Sequence, residues 1–97
     1  MSIVNQFSQR LGSNQVVTPA VASATIAINN QDKAVRLVNS GSNICYVRIG
    51  SGAATTADIP VRANSEIIIR KSTDETVLSH ISASGTTLNI ATGEGGI

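Results

Sequence analysis

The hexapeptide Ile44-Cys45-Tyr46-Val47-Arg48-Ile49 decides the fold. Cys45, Val47 and Ile49 fall on one side of an extended chain and Tyr46 and Arg48 on the other, the period of two expected of a strand with one buried face. Ser40-Gly41-Ser42-Asn43 before it and Gly50-Ser51-Gly52 after it supply turn residues at both ends. Because the inward set is apolar, Cys45 reads as a small buried hydrophobe rather than a reactive thiol.

Outward from this strand the same texture repeats from residue 24 onward. Ala24 to Asn29 carries Ile26 and Ile28 on one face, and Asn30-Gln31-Asp32-Lys33 is the following turn. Ala34 to Asn39 sets Val35 and Leu37 opposite Arg36 and Val38. Beyond Gly52, Ala53 to Asp58 reads as a surface loop into a short strand at Ile59 to Val61. Pro60 lacks the N–H a central ladder needs, so that strand belongs at a sheet edge or a bulge. In Ser65 to Lys71, Ile67 and Ile69 face one way and Ile68, between Glu66 and Arg70, faces the other. Such a strand, apolar on both sides, is expected to be central or covered by a partner. Val77 to Ser82 follows with Val77 and Ile81 on one parity, which points His80 toward solvent or an interface. Thr86 to Ala91 is the last strand.

Short strands at this spacing, with no helical pattern between them, predict an all-β fold: a small antiparallel β-sandwich or jelly-roll-like barrel of about seven strands. Residues 24–97 form the sandwich domain. Residues 1–23, rich in Asn, Gln, Ser and Thr and interrupted by Pro19, read as an N-terminal arm. Ile3, Phe7 and Leu11 recur at four-residue spacing, with Ser2 placed to cap and Gly12 to stop, the pattern of a short amphipathic helix needing a surface to lie against. A frayed terminus, or an extra strand through Val16 to Thr18, fits the same residues.

At 97 residues a single domain buries only about 60–65% of the surface its unfolded chain exposes. One Phe, one Tyr and no Trp leave few large side chains to thicken the core, so burial at a subunit or partner interface matters to stability. Seven Lys and Arg against six Asp and Glu give a formal charge of +1. The charges are scattered singly or in pairs, unlike the basic stripe with stacking aromatics of a nucleic-acid binder, so nucleic acid is not expected as a partner. With one cysteine, no intrachain disulfide and no thiolate zinc site can form. Neither a leader pattern nor a membrane-length apolar run is found in the sequence, so a soluble protein made in the cytoplasm, with no membrane contact, is expected.

The inventory offers little for catalysis. His80 is the single histidine, and none of the serines sits in a Gly-x-Ser-x-Gly elbow. Asp32, Asp58, Glu66, Asp74, Glu75 and Glu94 fall mostly in separate turns, without EF-hand or histidine-based ligand spacing. Gly93, Gly95 and Gly96 lack the strand, lysine and helix of a phosphate loop. No catalytic residue, metal or cofactor is assigned. The residues expected to bind a partner are Ile3, Phe7 and Leu11 in the arm, Tyr46 as the lone tyrosine, and Ile68. A glycan-binding module of a fibre or tail, using Tyr46, Asn43 and His80, is the competing function; its weakness is the scarcity of sugar-stacking aromatics.

Val35-Arg36-Leu37-Val38-Asn39-Ser40-Gly41, Cys45-Tyr46-Val47-Arg48-Ile49-Gly50, Ile59-Pro60-Val61 and Leu88-Asn89-Ile90-Ala91-Thr92-Gly93-Glu94-Gly95 together resemble small β-sandwich virion proteins of tailed bacteriophages, of the head decoration or cement type. The likeness covers about residues 24 to 95 and lies in strand-and-turn texture. It implies a homodimer or homotrimer on the capsid surface that binds the major capsid protein or another virion protein and braces coat subunits. A head-to-tail connector or tail subunit is a variant of the same reading.

Overall fold

The computed structural model describes residues 7–94. Nine strands are found among them: β1 (Ser8–Gln9), β2 (Gln15–Val17), β3 (Ala24–Ala27), β4 (Ala34–Asn39), β5 (Cys45–Ile49), β6 (Ile59–Val61), β7 (Ser65–Arg70), β8 (Val77–Ile81) and β9 (Leu88–Glu94). The seven strands from β3 to β9 lie where the alternation and turn residues place them. Among the described residues there is no helix, and so none long and apolar enough to cross a membrane.

All pairings are antiparallel, in two sheets. One has β9 at its heart, with β4 then β7 on one side and both β1 and β2 on the other; the second runs β3-β8-β5-β6. Leaving β1 aside, the order β2-β9-β4-β7 over β3-β8-β5-β6 is that of an eight-strand jelly roll, two interleaved Greek keys closed into a sandwich. The core between the sheets is formed by Ile28, Val35, Leu37, Cys45, Val47, Val61, Leu78, Leu88 and Ile90. Burial pushes the Cys45 thiol up to about 11, as suits a hydrophobe rather than a nucleophile. Pro60 lies in β6, an edge strand, where a missing N–H costs no ladder bond.

Two expectations are corrected and one is narrowed. First, the described part of residues 1–23 is not a helical arm. Ser8 and Gln9 pair with Glu94 and Gly93, and Gln15, Val16 and Val17 pair with Ile90, Asn89 and Leu88, so both segments extend the five-stranded sheet. Of the alternatives for this region, the extra strand is the one present, and a domain boundary at residue 24 would cut through one sheet. Phe7 is half-buried ahead of β1, and Ile3 lies outside the described residues. Second, of the two places expected for β7, central or covered by a partner, the central one is ruled out: among the described residues it pairs only with β4 and forms an edge. Third, β8 has the opposite parity. Val47 pairs with His80 and Ile49 with Leu78, so Leu78 and His80 point inward while Val77, Ser79 and Ile81 point outward.

The reversal in β8 follows from a polar residue that is buried on the outer side. The Ser79 hydroxyl reaches the Gly50 and Gly52 carbonyls at 2.9 and 2.6 Å, which folds the β5–β6 loop over that face. Leu78 is fully buried and supplies more inward apolar area than Val77 would.

Candidate interaction surface

The expected contact residues are dispersed by this topology. Tyr46 lies on the outer face of the four-stranded sheet and Ile68 on the outer face of the five-stranded sheet, the opposite side of the sandwich. Leu11 projects from an edge.

Around Tyr46 the register builds an apolar strip. Pro60 lies directly across from it in β6 and Ile81 in β8, and Ile44, two residues before it, shares its face at 38% exposed. Val21, beside the point where the Ser82 N–H bonds the Ala20 carbonyl, is 76% exposed. An amphipathic ring held between a proline and a β-branched side chain loses little conformational freedom on contact, which is why such residues act as interface anchors. The strip ends at Arg48, which pairs with Asp58 at 3.1 Å. Asp58 is held below the ordinary carboxylate range, chiefly by the Thr55 backbone N–H and also by Arg48.

On the other sheet, Ile68 lies across from Arg36, and Arg36 pairs with Glu66 of the same strand as Ile68. Arg36, Val38, Asn89, Ala91 and Asn14 line a shallow groove beside this pair. Two faces, each half apolar and half ionic, therefore flank a closed core.

Leu11 owes its position to a break in the edge strand. The β1 register on β9 and the β2 register differ by three residues, and the surplus is extruded as a turn. Ser13 N–H bonds the Arg10 carbonyl, and Gly12 takes a φ of 76° that favours glycine. Opposite the turn, the Ser13 hydroxyl donates to the Thr92 carbonyl at 3.1 Å and accepts from the Thr92 N–H at 3.2 Å, filling the gap in the ladder. Leu11 at the tip is 98% exposed.

The remaining polar clusters are internal fasteners. Asp32, buried, accepts from Arg10 and Thr92. Lys71, buried beside it, donates to the Ser72 carbonyl, and desolvation holds its pKa down. At the other end Asn39 is saturated: its amide donates to the Asn43 and Val61 carbonyls, and its oxygen accepts from the Gly41 N–H and the Thr86 hydroxyl. Sequence reasoning left Asn39 and Asp32 as ordinary strand-end and turn residues; only the tertiary structure shows their partners.

The competing trio comes apart. His80 is buried in the sandwich with its Nδ1 unpartnered, and desolvation lowers its pKa. The Asn43 amide is committed to the Gly85 carbonyl at 2.8 Å. Tyr46 alone faces outward. Among the described residues no carboxylate bonds to His80, and no group of three His, Cys, Asp or Glu could hold a metal ion.

Fold and surface define a jelly-roll sandwich with two outer sheet faces and an extruded apolar turn. No family model and no curated protein sequence matches the chain. Among solved structures it is similar to protein NMB1881 from Neisseria meningitidis, with 12% identity and a TM-score of 0.53 over 96% of this chain and 88% of that one. It is similar also to PirA, with 13% identity and a TM-score of 0.51 over 86% and 95%. At these identities the likeness is one of fold alone. The coat protein of Tobacco streak virus aligns at 10% identity over 91% and 90% of the two chains, and its TM-score of 0.36 is too low to carry an argument.

Proposed function

We propose that the chain is a structural component of a virus particle, of the decoration or cement type, which docks on neighbouring coat subunits and braces them. The observation that carries this reading is the Tyr46 strip, an outer sheet surface where Pro60, Ile81 and Ile44 surround the one tyrosine. It is supported by the strand-and-turn resemblance to phage virion proteins. Jelly rolls occur in capsid proteins as well as in lectins, so the fold agrees with the reading without selecting it. A small sandwich with little aromatic core gains stability from an interface, and weak contacts repeated over a symmetric lattice add up to firm attachment. The place of action would be the capsid surface.

Purified protein is expected to bind cognate particles that lack it and to raise their resistance to heat. Tyr46→Ala should weaken that binding by roughly tenfold or more, the cost of truncating an aromatic anchor, with the far-UV spectrum unchanged. Failure to bind any cognate particle would overturn the proposal. Glycan binding lost on Tyr46→Ala would replace it with the sugar-recognition reading, and closed rings in solution would replace it with a connector.

A further inference from the structure

The free edges of the two sheets are unequal. β6 is three residues long and contains Pro60; β3 is four residues long, with its Ala27 carbonyl already capped by the Gln15 side chain at 2.8 Å. The β1–β2 edge is interrupted by the extruded turn. β7 is six residues long, contains no proline and, among the described residues, pairs on one side only. An uninterrupted, half-apolar edge is a template for another strand unless something manages it.

The backbone phase of that edge is fixed by a hydrogen bond just beyond β7, from the Lys71 N–H to the Lys33 carbonyl at 2.9 Å. In an antiparallel ladder, residues whose N–H and C=O face the partner alternate with residues that face away. Lys71, Ile69, Ile67 and Ser65 therefore bond to β4, and Glu66, Ile68 and Arg70 turn their N–H and C=O groups to the open side. The same three residues carry their side chains on the outer face, across from Val38, Arg36 and Ala34.

The residues Glu66, Ile68 and Arg70 are self-complementary when reversed. We propose that two copies of the chain pair antiparallel through the open edge of β7, with Ile68 on the two-fold axis and Glu66 of each copy opposite Arg70 of the other. In this register every outward N–H meets an outward C=O, the outer faces of the two sheets run on continuously, and Ile68 meets Ile68. Sliding the strands by two residues either way keeps the ladder but sets Ile68 against Glu66 or Arg70, so the charges select one register. Arg70 forms no ion pair among the described residues, leaving its guanidinium free for the partner copy. The occupant is thus a second copy in an isologous contact that closes on itself, and the charges at its ends disfavour open-ended stacking. The inference is independent of the capsid reading: dimer formation and particle binding are measured separately, and either can fail without the other.

Sedimentation of the full chain from about 10 μM to about 1 mM is expected to show a monomer–dimer equilibrium, the weak affinity suited to a seam one strand wide. Over the same series, hydrogen exchange at the Glu66, Ile68 and Arg70 amides should slow as dimer forms, while the Ile67 and Ile69 amides, bonded to β4, stay protected throughout. Glu66→Arg and Arg70→Glu, each placing like charges face to face at both ends, should each weaken the dimer by about tenfold or more. The double reversal Glu66→Arg with Arg70→Glu should restore it, and retained protection at Ile67 and Ile69 confirms that each variant is folded. A chain that stays monomeric at the highest concentration, a trimer, single reversals that leave the dimer intact, or a double reversal that fails to rescue would each overturn the proposal.

Discussion

Arg10 and Asp32, distant in sequence, are joined by an ion pair in which Nε of Arg10 lies 2.8 Å from Oδ2 of Asp32. The same carboxylate oxygen accepts from Thr92 Oγ1 at 2.7 Å. One buried carboxylate thus ties the N-terminal segment, the β3–β4 turn and the last strand together. The Arg10 guanidinium, more than the Thr92 hydroxyl, holds the Asp32 carboxyl below its ordinary range, against the opposing effect of burial.

Asp32→Ala is therefore expected to destabilise the fold by roughly 1–3 kcal/mol, the cost of leaving buried polar partners unmatched. The sign with pH follows from the lowered pKa. The stabilisation is complete above the ordinary aspartate value of 3.8 and is lost as pH falls through the lower value of the folded state. Urea midpoints of wild type and variant at pH 7 and below pH 4 should converge on acidification.

The extruded turn separates stability from contact. Leu11 touches nothing that its truncation would expose, so Leu11→Ser should leave the denaturation midpoint within about 0.5 kcal/mol of wild type. Deleting residues 1–12 is a different experiment, since it removes β1 and the Arg10 ion pair and should lower the midpoint clearly. If Leu11→Ser impairs particle attachment while the midpoint holds, the turn is a contact; if attachment is normal, it is not.

Legibility from sequence followed the strength of local signals. β5 was plain because Cys45, Val47 and Ile49 alternate without exception between two glycine-rich turns, and β6 was placed at an edge by Pro60 alone. The N-terminal strands were ambiguous because Ile3, Phe7 and Leu11 fit a helical period as well as Val16 and Val17 fit a strand; long-range pairing with β9 settles the described part, and no local signal encodes it. In β8 the pattern Val77-Leu78-Ser79-His80-Ile81 has apolar residues on both parities. What turns His80 inward is the cover that the Gly50–Gly52 loop gives Ser79 on the other side. Of the contact residues, Tyr46 gained meaning only when register put Pro60 and Ile81 beside it. Ile67 and Ile69 pack on the core with Ile68 on the other face, as their alternation predicts, but whether β7 is central or an edge depends on sheet order.

His80 carries a cost that should be visible in acid. Burial lowers its pKa below the ordinary 6.5, so the unfolded chain takes up the proton first. Stability is then greatest above 6.5 and declines as pH falls from there toward the lower folded value. His80→Leu removes both the titration and the unpartnered Nδ1. The variant should be as stable as wild type or more so at pH 7, and its urea midpoint should fall less between about pH 7.5 and about pH 5. Since Asp32 titrates well below that window, a wild-type midpoint flat across it would show that His80 is not buried as the neutral ring.

The opposite end of the sandwich is closed by Asn39, which bridges the sheets: from β4 its amide reaches the Val61 carbonyl of β6 at 2.9 Å, and its oxygen takes the Thr86 hydroxyl at 2.7 Å. Gly41 backs this network so closely that a Cβ there would lie 2.0 Å from Thr86 Oγ1 and 2.8 Å from the Thr87 backbone nitrogen. Gly41→Ala must therefore displace the Thr86 side chain and press on the backbone behind it, breaking the Thr86–Asn39 bond as well. It should cost more than Thr86→Ala, which removes the hydroxyl without adding an atom near the Asn39 oxygen and is expected to cost about 1 kcal/mol. Asn39→Ala, which strands the Asn43 and Val61 carbonyls together, should cost roughly 2–4 kcal/mol. Pairing Gly41→Ala with Thr86→Ala tests the cause directly, because removing the obstructing hydroxyl should recover part of the loss. Losses that simply add in a urea-denaturation cycle would place the strain of Gly41→Ala at the Thr87 backbone instead.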